Sequence, residues 1–437
     1  MPRWFRGGVH PDDAKNSTQH KQIEQLPPPE RLVLSLSMHI GAPCEPVVSP
    51  GQEIYMGQLI ADSQAAVSAP IHSPVSGKVA EVSLQPHVSG TSVMSVVLEN
   101  DGKDTPDPSI EPFGSIESLS AERLLEIVRQ SGIVGLGGAA FPTHFKIKSA
   151  LGSCDTVILN GCECEPYITS DHRIMLEAPE EITGGLRILM KILSPKRAVI
   201  AVESNKRDAV KALLRTLPAN SPIEVAVLPS IFPQGAEKQL IRAVTGREVP
   251  PGGLPSSVKC AVFNIDTAAA IHRAVTTGMP LLRRVVTVAG SAVSNSKNLS
   301  VRIGTPISAV FEATGGFRET PSKVLMGGPM MGIAQHDLGA PVIKATNALL
   351  AFSLADTPAA EDHACIRCGK CVEVCPMNLL PVYLYMNERK SRLEELERLR
   401  LPDCIECGAC SYTCPARLFL VHSMRTGKQK LADAKKK

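Results

Sequence analysis

Asp155-Thr156-Val157-Ile158-Leu159-Asn160-Gly161-Cys162-Glu163-Cys164-Glu165-Pro166-Tyr167 reads as a buried strand that runs straight into a polar, acidic turn. Outward from it, the apolar pattern keeps switching period. Residues 121–130 read as a helix with Leu124, Leu125 and Val128 on one face. Downstream come a helix at 179–193, a strand at 198–202, a helix at 206–217, a strand at 223–228 and a helix at 235–244. Strands alternating with helices predict a Rossmann-like parallel sheet that binds its ligands at the strands' C-terminal ends. The turn after Leu159 lies at such an end. Asn160 can hydrogen-bond a heterocycle. Glu163 and Glu165 can accept from ribose hydroxyls or a carboxamide, although each read alone is also an ordinary solvated carboxylate. Cys162 and Cys164 form a CxC pair, for which the sequence offers no third or fourth ligand nearby.

Upstream, Gly135-Leu136-Gly137-Gly138-Ala139-Ala140-Phe141-Pro142-Thr143-His144-Phe145-Lys146 lies between two helices. Glycines let backbone N–H groups approach a phosphate, and the following helix N-terminus adds a favourable dipole. Lys146 can pair with a phosphate or a reduced flavin ring. The stretch is not the dinucleotide fingerprint GxGxxG, because no strand leads into it. On its glycines alone it could equally be a plain helix-linking loop.

Near the C-terminus one cysteine motif occurs twice, offset by 39 residues: Cys365-x2-Cys368-x2-Cys371-x3-Cys375-Pro376 and Cys404-x2-Cys407-x2-Cys410-x3-Cys414-Pro415. Thiolates so spaced hold cubane clusters, three close cysteines wrapping one cubane and the fourth crossing to the other. Cys365, Cys368, Cys371 and Cys414 are expected to hold one [4Fe–4S] cluster, and Cys375, Cys404, Cys407 and Cys410 the second. The competing reading, structural zinc on paired CxxC units, fits two complete runs poorly. Cubanes pass single electrons, so the chain is expected to move electrons.

The rest of the 437 residues supports these two sites. Residues 1–30 are polar and end in Pro27-Pro28-Pro29, a linker signature. Residues 31–104 carry the short runs of a small β domain, with strands expected at 31–38, 47–51, 57–61, 76–79 and 93–99. Residues 281–340 read as a second β module with strands at 285–289, 301–303 and 323–326. Residues 356–437 carry the cysteines, with one charged amphipathic helix expected at 382–399. The basic tail from Arg425 to Lys437 reads as a frayed end, or as a dock for an anionic surface. His10, His20, His39 and His72 have no metal spacing and read as surface or turn residues, and Met330-Met331 as core filler. A net charge of +3 gives no nucleic-acid signature. The start lacks the apolar stretch of a signal peptide, and the best apolar run, 348–355, is far short of a membrane span. The five cysteines outside the runs show no disulfide spacing, which suits a reducing, cytosol-facing compartment.

Several stretches carry a resemblance. Ser68-Ala69-Pro70-Ile71-His72-Ser73-Pro74-Val75-Ser76-Gly77-Lys78-Val79 resembles the sandwich-hybrid fold of lipoyl and biotinyl carriers, without their Met-Lys-Met, so no swinging arm is expected. GLGGAAFPTHFK with NGCECEPY resembles the flavin- and NADH-binding subunit of respiratory complex I, whose motifs read GRGGAGFPTGLKW and NADESEPG. Phe232-Pro233-Gln234-Gly235-Ala236-Glu237-Lys238 and Phe263-Asn264-Ile265-Asp266-Thr267 look like that family's YxxGEE and NNVET segments. Leu136, Cys162 and Phe263 depart from its arginine, aspartate and asparagine. The order of all modules, from Phe5-Arg6-Gly7-Gly8-Val9-His10-Pro11 to the doubled cysteine run, is similar to the RnfC (RsxC) family of the Rnf electron transport complex.

That resemblance implies a multidomain α/β chain: an N-terminal segment at 1–30, a sandwich-hybrid β domain at 31–104, a Rossmann-like FMN/NADH domain at 115–278, a β-grasp, SLBB-like module at 281–340 and a largely helical two-cluster ferredoxin domain at 356–437. It implies FMN on Gly135, Gly137 and Gly138, oriented by Lys146, Asn160, Glu163, Gly235, Asn264 and Thr267. NADH would stack beside Phe141 and be read by Glu165, Glu237 or Lys238. It implies an ion-translocating NADH:ferredoxin oxidoreductase subunit, a translocase without a span of its own, held by partner subunits on the cytoplasmic face of the inner membrane. Ferredoxin-type carriers would be reached through those partners. Two other functions fit the same motifs: a soluble flavin/iron–sulfur cobalamin reductase, and a non-enzymatic electron relay or scaffold.

Overall fold

A computed structural model of the protein describes residues 5–357 and 363–435. The first surprise is the N-terminal segment, which is threaded into the molecule and is no linker. Lys15 is buried, and its ammonium donates to the carbonyls of Glu163 (3.1 Å), Glu165 (2.8 Å) and Ile168. Strand β1 (Ile23–Gln25) then joins a sheet built almost 300 residues later, in register with Asn298–Ser300. The tri-proline falls only after that strand, so the linker signature marks the exit from the segment.

The sandwich-hybrid domain holds β2 (Arg31–Ser35), β3 (Glu45–Pro46), β4 (Glu53–Ile54), β5 (Leu59–Asp62), β6 (Ile71–His72), β7 (Gly77–Pro86) and β8 (Ser92–Asn100). They form antiparallel sheets in the orders β2-β8-β7-β4 and β3-β5-β6. The run expected as a strand at 47–51 is instead the bend between β3 and β4, where Pro50 and Gly51 favour a turn.

The α/β domain follows with α1 (Ala121–Gln130), α2 (Thr143–Ala150), β9 (Thr156–Gly161), α3 (Ser170–Glu177), α4 (Pro179–Leu193), β10 (Arg197–Glu203), α5 (Arg207–Arg215), β11 (Ile223–Leu228), α6 (Glu237–Thr245), β12 (Cys260–Asn264) and α7 (Ile265–Thr277). All four strands are parallel, in the order β11-β10-β9-β12. The order reverses between β9 and β12, and such a switch point opens a crevice above the strand ends.

The second β module comprises β13 (Arg283–Ala289), β14 (Lys297–Arg302), α8 (Ile307–Glu312), β15 (Lys323–Met326), β16 (Ile333–Gln335) and β17 (Ala348–Phe352). Its six-stranded sheet, β1-β14-β13-β17-β15-β16, reaches past the expected boundary at 340. The apolar run at 348–355 supplies β17, buried at every position because it lies inside that sheet. One continuous apolar core extends from Leu32 through the α/β domain to Ala351.

The cysteine module has α9 (Lys370–Glu373), α10 (Pro381–Glu388), α11 (Leu393–Arg398), α12 (Ala409–Tyr412) and α13 (Leu420–Ala434). The single helix expected at 382–399 is two, broken where Ser391 takes a left-handed φ of 49°. The basic tail is not frayed over its described part. It belongs to α13, where Arg425 and Lys428 pair with Glu406 and Lys430 pairs with Glu388. Lys436 and Lys437 lie outside the described residues. The module keeps a small apolar core of its own, centred on Leu384, Leu396, Leu401 and Met424.

Candidate functional site

The crevice is built from the ends of β9 and β12. Asn160 and Asn264 face each other in register there. Each asparagine locks two elements together. Asn160 accepts from the Cys162 N–H (3.0 Å) and donates to the Gly235 carbonyl (2.8 Å) just before α6. Asn264 caps α7, accepting from the Asp266 (2.9 Å) and Thr267 (3.3 Å) N–H groups, and donates to Asp171 on α3 at 2.6 Å. Burial, with Glu163 and Asp266 close by, lifts the Asp171 carboxyl well above the usual range.

The glycine loop closes on itself above this floor. The Gly135 N–H donates to the Phe141 carbonyl (2.8 Å), and the Ala140 N–H to the Gly135 carbonyl (3.0 Å). Leu136 points into the core, and its backbone is pinned twice. Its N–H donates to the Thr267 hydroxyl at 2.9 Å, and its carbonyl accepts from Arg284 at 2.6 Å. This leaves Gly137, Gly138 and Ala139 exposed at the crest. A Cβ at Gly137 would stand 3.4 Å from the Asn264 side chain, and Gly138 has a φ of +105°. Lys146 on α2 pairs with Glu237 in the first turn of α6, and its ammonium lies 5.8 Å from the centre of the Phe263 ring. Phe141 is half-buried, with Phe145 against it at 6.0 Å. Gly135, Gly137, Gly138, Phe141, Lys146, Asn160, Gly235, Glu237, Asn264 and Thr267 therefore gather at the C-terminal ends of β9 and β12, with Thr267 buried beneath the loop.

Three expected residues turn elsewhere. Glu163 points under the turn, where its carboxylate accepts from the Asp171 (2.7 Å) and His172 (3.4 Å) N–H groups at the start of α3. Glu165 reaches the second β module, accepting from the Met330 (3.1 Å) and Met331 (2.9 Å) N–H groups, and burial pushes its carboxyl up to about 7. Met330-Met331 thus contributes its backbone, and Met331 is exposed rather than core. Lys238 reaches only the Pro250 carbonyl, at 3.5 Å. Cys162 and Cys164 are held as thiols, burial and Glu203 pushing both up. Of the histidines read as surface or turn residues, His39 lies in a bend, where it accepts from the Ala69 N–H at 3.1 Å. His72 instead lies on β6, and burial beside Lys344 pushes it down to about 3.

Sequence reasoning missed the buried ionic group beneath the turn. Lys206 pairs with Glu203 at 2.8 Å and donates to the Glu163 carbonyl at 3.3 Å, beside Lys15. Glu203 at the end of β10 was a findable signal, being a carboxylate at a strand's C-terminal end. Nothing local marks Lys15.

The eight motif cysteines surround two cavities. One is lined by Cys365, Cys368, Cys371 and Cys414, the other by Cys375, Cys404, Cys407 and Cys410. The loops repeat each other in backbone. Arg367 and Glu406 take left-handed φ values of 55° and 56°, as do Asn378 and Arg417 at 53° and 48°. The N–H groups of Arg367 and Glu406 point at Cys365 and Cys404 sulfur, each at 3.4 Å. N–H groups aimed at sulfur suit thiolate ligands. Four sulfurs around each cavity, drawn from two complete CxxCxxCxxxCP runs with the fourth cysteine crossed over, fit polynuclear clusters better than zinc.

The cages differ in setting. Cys407 packs with Val9, Phe232 and Ala409, against Cys164 of the turn. Gln239 on α6 donates to the Pro376 carbonyl at 3.0 Å. The cage of Cys375, Cys404, Cys407 and Cys410 therefore abuts the α/β domain. The other opens outward, with Cys368 exposed and Ile366 and Phe419 about two-thirds exposed beside it (68% and 65%).

Comparison with known proteins follows the same division. The chain matches the RnfC barrel sandwich hybrid domain over residues 3–103, the Nuo51 FMN-binding domain over 128–273, the SLBB domain over 285–334 and the 4Fe-4S dicluster domain over 357–431. It is 44% identical over 434 residues to the C component of the Na(+)-translocating ferredoxin:NAD(+) oxidoreductase complex of Acetobacterium woodii, covering 99% of this chain and 98% of that protein. It is 43% identical over 396 residues to the proton-translocating counterpart of Clostridium ljungdahlii, covering 90% and 86%. Among solved structures, an NAD+-reducing [NiFe]-hydrogenase in the air-oxidized state shares the fold, with a TM-score of 0.52 at 14% identity over 96% of this chain and 88% of that one.

Proposed function

The chain belongs to the RnfC family of ion-translocating ferredoxin:NAD+ oxidoreductase complexes, and from that premise we propose how its residues divide the work. It is the component that carries FMN and two [4Fe–4S] clusters for electron exchange with NAD(H). A bound flavin supplies the exchange between hydride, two electrons at once, and single electrons. The crest Gly137–Gly138–Ala139 gives the flavin phosphate or ring edge a backbone to lie on. Asn160 and Asn264 hold the floor rigid, and Lys146 places a cation at the ring. Phe141 offers the nicotinamide a face, and Glu237 a carboxylate. Glu163 and Glu165 serve the architecture, because their carboxylates are spent on backbone N–H groups, while Lys238 makes one long contact at the rim. Hydride transfer needs stacking more than a proton donor, which agrees with a crevice poor in free acids.

The juxtaposition of crevice and cage carries this reading: Gly235 bonds Asn160 on one side and abuts Cys164 on the other, and Cys164 packs against the apolar cluster that holds Cys407. Electrons from the crevice would enter the Cys375/Cys404/Cys407/Cys410 cage and leave through the exposed Cys365/Cys368/Cys371/Cys414 cage. Among the described residues no helix is long and apolar enough to cross a membrane. The chain is therefore read as peripheral, held on the cytoplasmic side by its partner subunits, and ion movement belongs to them. The test is anaerobic: load the purified chain with iron, sulfide and FMN, add NADH, and follow flavin absorbance and cluster EPR. Bleaching followed by reduced-cluster signals is expected. Loaded clusters with no FMN binding and no response to NADH would leave a relay or scaffold.

A further inference from the structure

The cysteine module has its own core, so its placement against the crevice depends on the contacts between them. Beside the direct Gln239–Pro376 bond, residues 5–9 bridge the two. On the cage side, the Gly8 N–H donates to the Val374 carbonyl at 2.9 Å, next to the cage ligand Cys375. On the other side, the Val9 N–H donates to the Phe232 carbonyl (2.8 Å) and the Phe232 N–H donates back to Val9 (2.9 Å). Phe232 begins the turn that leads to Gly235 and Glu237 in the crevice.

The two glycines fit opposite walls. Both have a φ of +87°, which a side chain would strain. A Cβ on Gly7 would stand 2.8 Å from the Val374 carbonyl oxygen and 2.9 Å from that of Cys375. One on Gly8 would stand 2.8 Å from the Ile231 side chain and 2.9 Å from the Phe232 carbonyl oxygen. The Val9 side chain is buried in one apolar cluster with Phe232 from the one wall and Cys407 from the other. A Cβ at either glycine must displace the strap from the wall that glycine faces.

We propose that residues 5–9 are a strap that sets the gap between the flavin crevice and the nearer cage, with Gly7, Gly8 and Val9 acting as positioning residues for electron passage between them. The inference rests on the functional reading above and adds what fixes its critical distance. Electron passage falls steeply with separation and with loss of packed atoms in the gap. Each step oxidises the flavin by one electron and reduces the cage cluster by one, so nothing further is consumed.

The test compares the loaded chain with its Gly7→Ala and Val9→Ala variants. Iron content and the EPR of dithionite-reduced clusters should match the wild type, as should the rate of flavin bleaching by NADH. Cluster reduction by the flavin should slow severalfold in Gly7→Ala, because tunnelling falls off exponentially with the added separation. Amide exchange at residues 5–9 should speed up in that variant, which reads the strap without any turnover. If Gly7→Ala fails to load clusters, Val9→Ala decides, because it keeps every backbone bond and opens only the packed gap; slower cluster reduction is expected there. Wild-type transfer rates in Val9→Ala, or in a loaded Gly7→Ala with unprotected strap amides, would overturn the proposal. Light-reduced FMN serves as a second donor. A chain that ignores NADH but passes electrons from light-reduced flavin overturns only the hydride step, and the strap is then judged on that donor.

Discussion

At the residue scale, two buried side chains hold the acidic turn, and their chemistry makes them separable. Lys15, 3% exposed, neutralises the Glu163 carboxylate and satisfies three carbonyls at once. Lys15→Met would keep the stem, strand the Glu165 and Ile168 carbonyls and leave the Glu163 carboxylate without its nearest cation, so it should cost about 3–5 kcal/mol, read as a lower urea midpoint. Glu165 behaves differently because burial outweighs its two N–H bonds and the nearby Lys15, lifting the carboxyl from 4.5 to about 7. A carboxyl raised on folding favours the native state when protonated. Its contribution is full below about pH 4.5 and is lost as the pH rises through about 7. The melting temperature of the wild type relative to Glu165→Gln should therefore fall between about pH 5 and about pH 8. A flat difference would show that Glu165 ionises freely where it lies.

At the element scale, the glycine loop has its shape because α7 holds it, and the Thr267–Leu136 bond is the single polar link between Thr267 and the crest. Thr267→Val keeps the shape of the side chain and leaves the Leu136 N–H without its acceptor. The buried donor left unmade should cost about 1–3 kcal/mol of stability, read as a lower melting temperature, and FMN affinity should weaken as the crest loosens. Quenching of FMN fluorescence on titration measures it; unchanged affinity would mean that Arg284 alone sets the loop. The loop and the strand of Val157–Leu159 were legible because glycine spacing and apolar runs are local signals. Strand β12 was not, since Cys260–Asn264 is short and reads as a motif, yet it creates the switch point at which the crevice opens. The roles of Glu163 and Glu165 were likewise hidden. A carboxylate in an acidic turn looks available for a ligand until the helix start and the Met330–Met331 backbone that claim it are placed beside it. The N-terminal segment misled for a related reason: a polar stretch looks like a linker when the carbonyls that bury Lys15 lie about 150 residues away.

At the scale of the whole molecule, the domains are unequal in what holds them. The sandwich, α/β and second β modules share one core, so they should unfold together. The cysteine module has little apolar core of its own, its two cavities are lined by thiols, and burial pushes Cys371, Cys404, Cys407 and Cys410 up, Cys407 to about 12. Thiols so placed want a cationic cluster, and binding free energy then becomes folding free energy. Removing iron should therefore loosen residues 363–435 while residues 31–352 stay protected. The molecule should melt in two steps without clusters, and the lower step should merge with the upper one when they are present. Hydrogen exchange followed by mass spectrometry on loaded and iron-stripped protein separates the two regions. Protection of 363–435 that survives complete loss of iron would show that the helices around Leu384 and Leu396 suffice, and that the cages are passengers on a fold that stands without them.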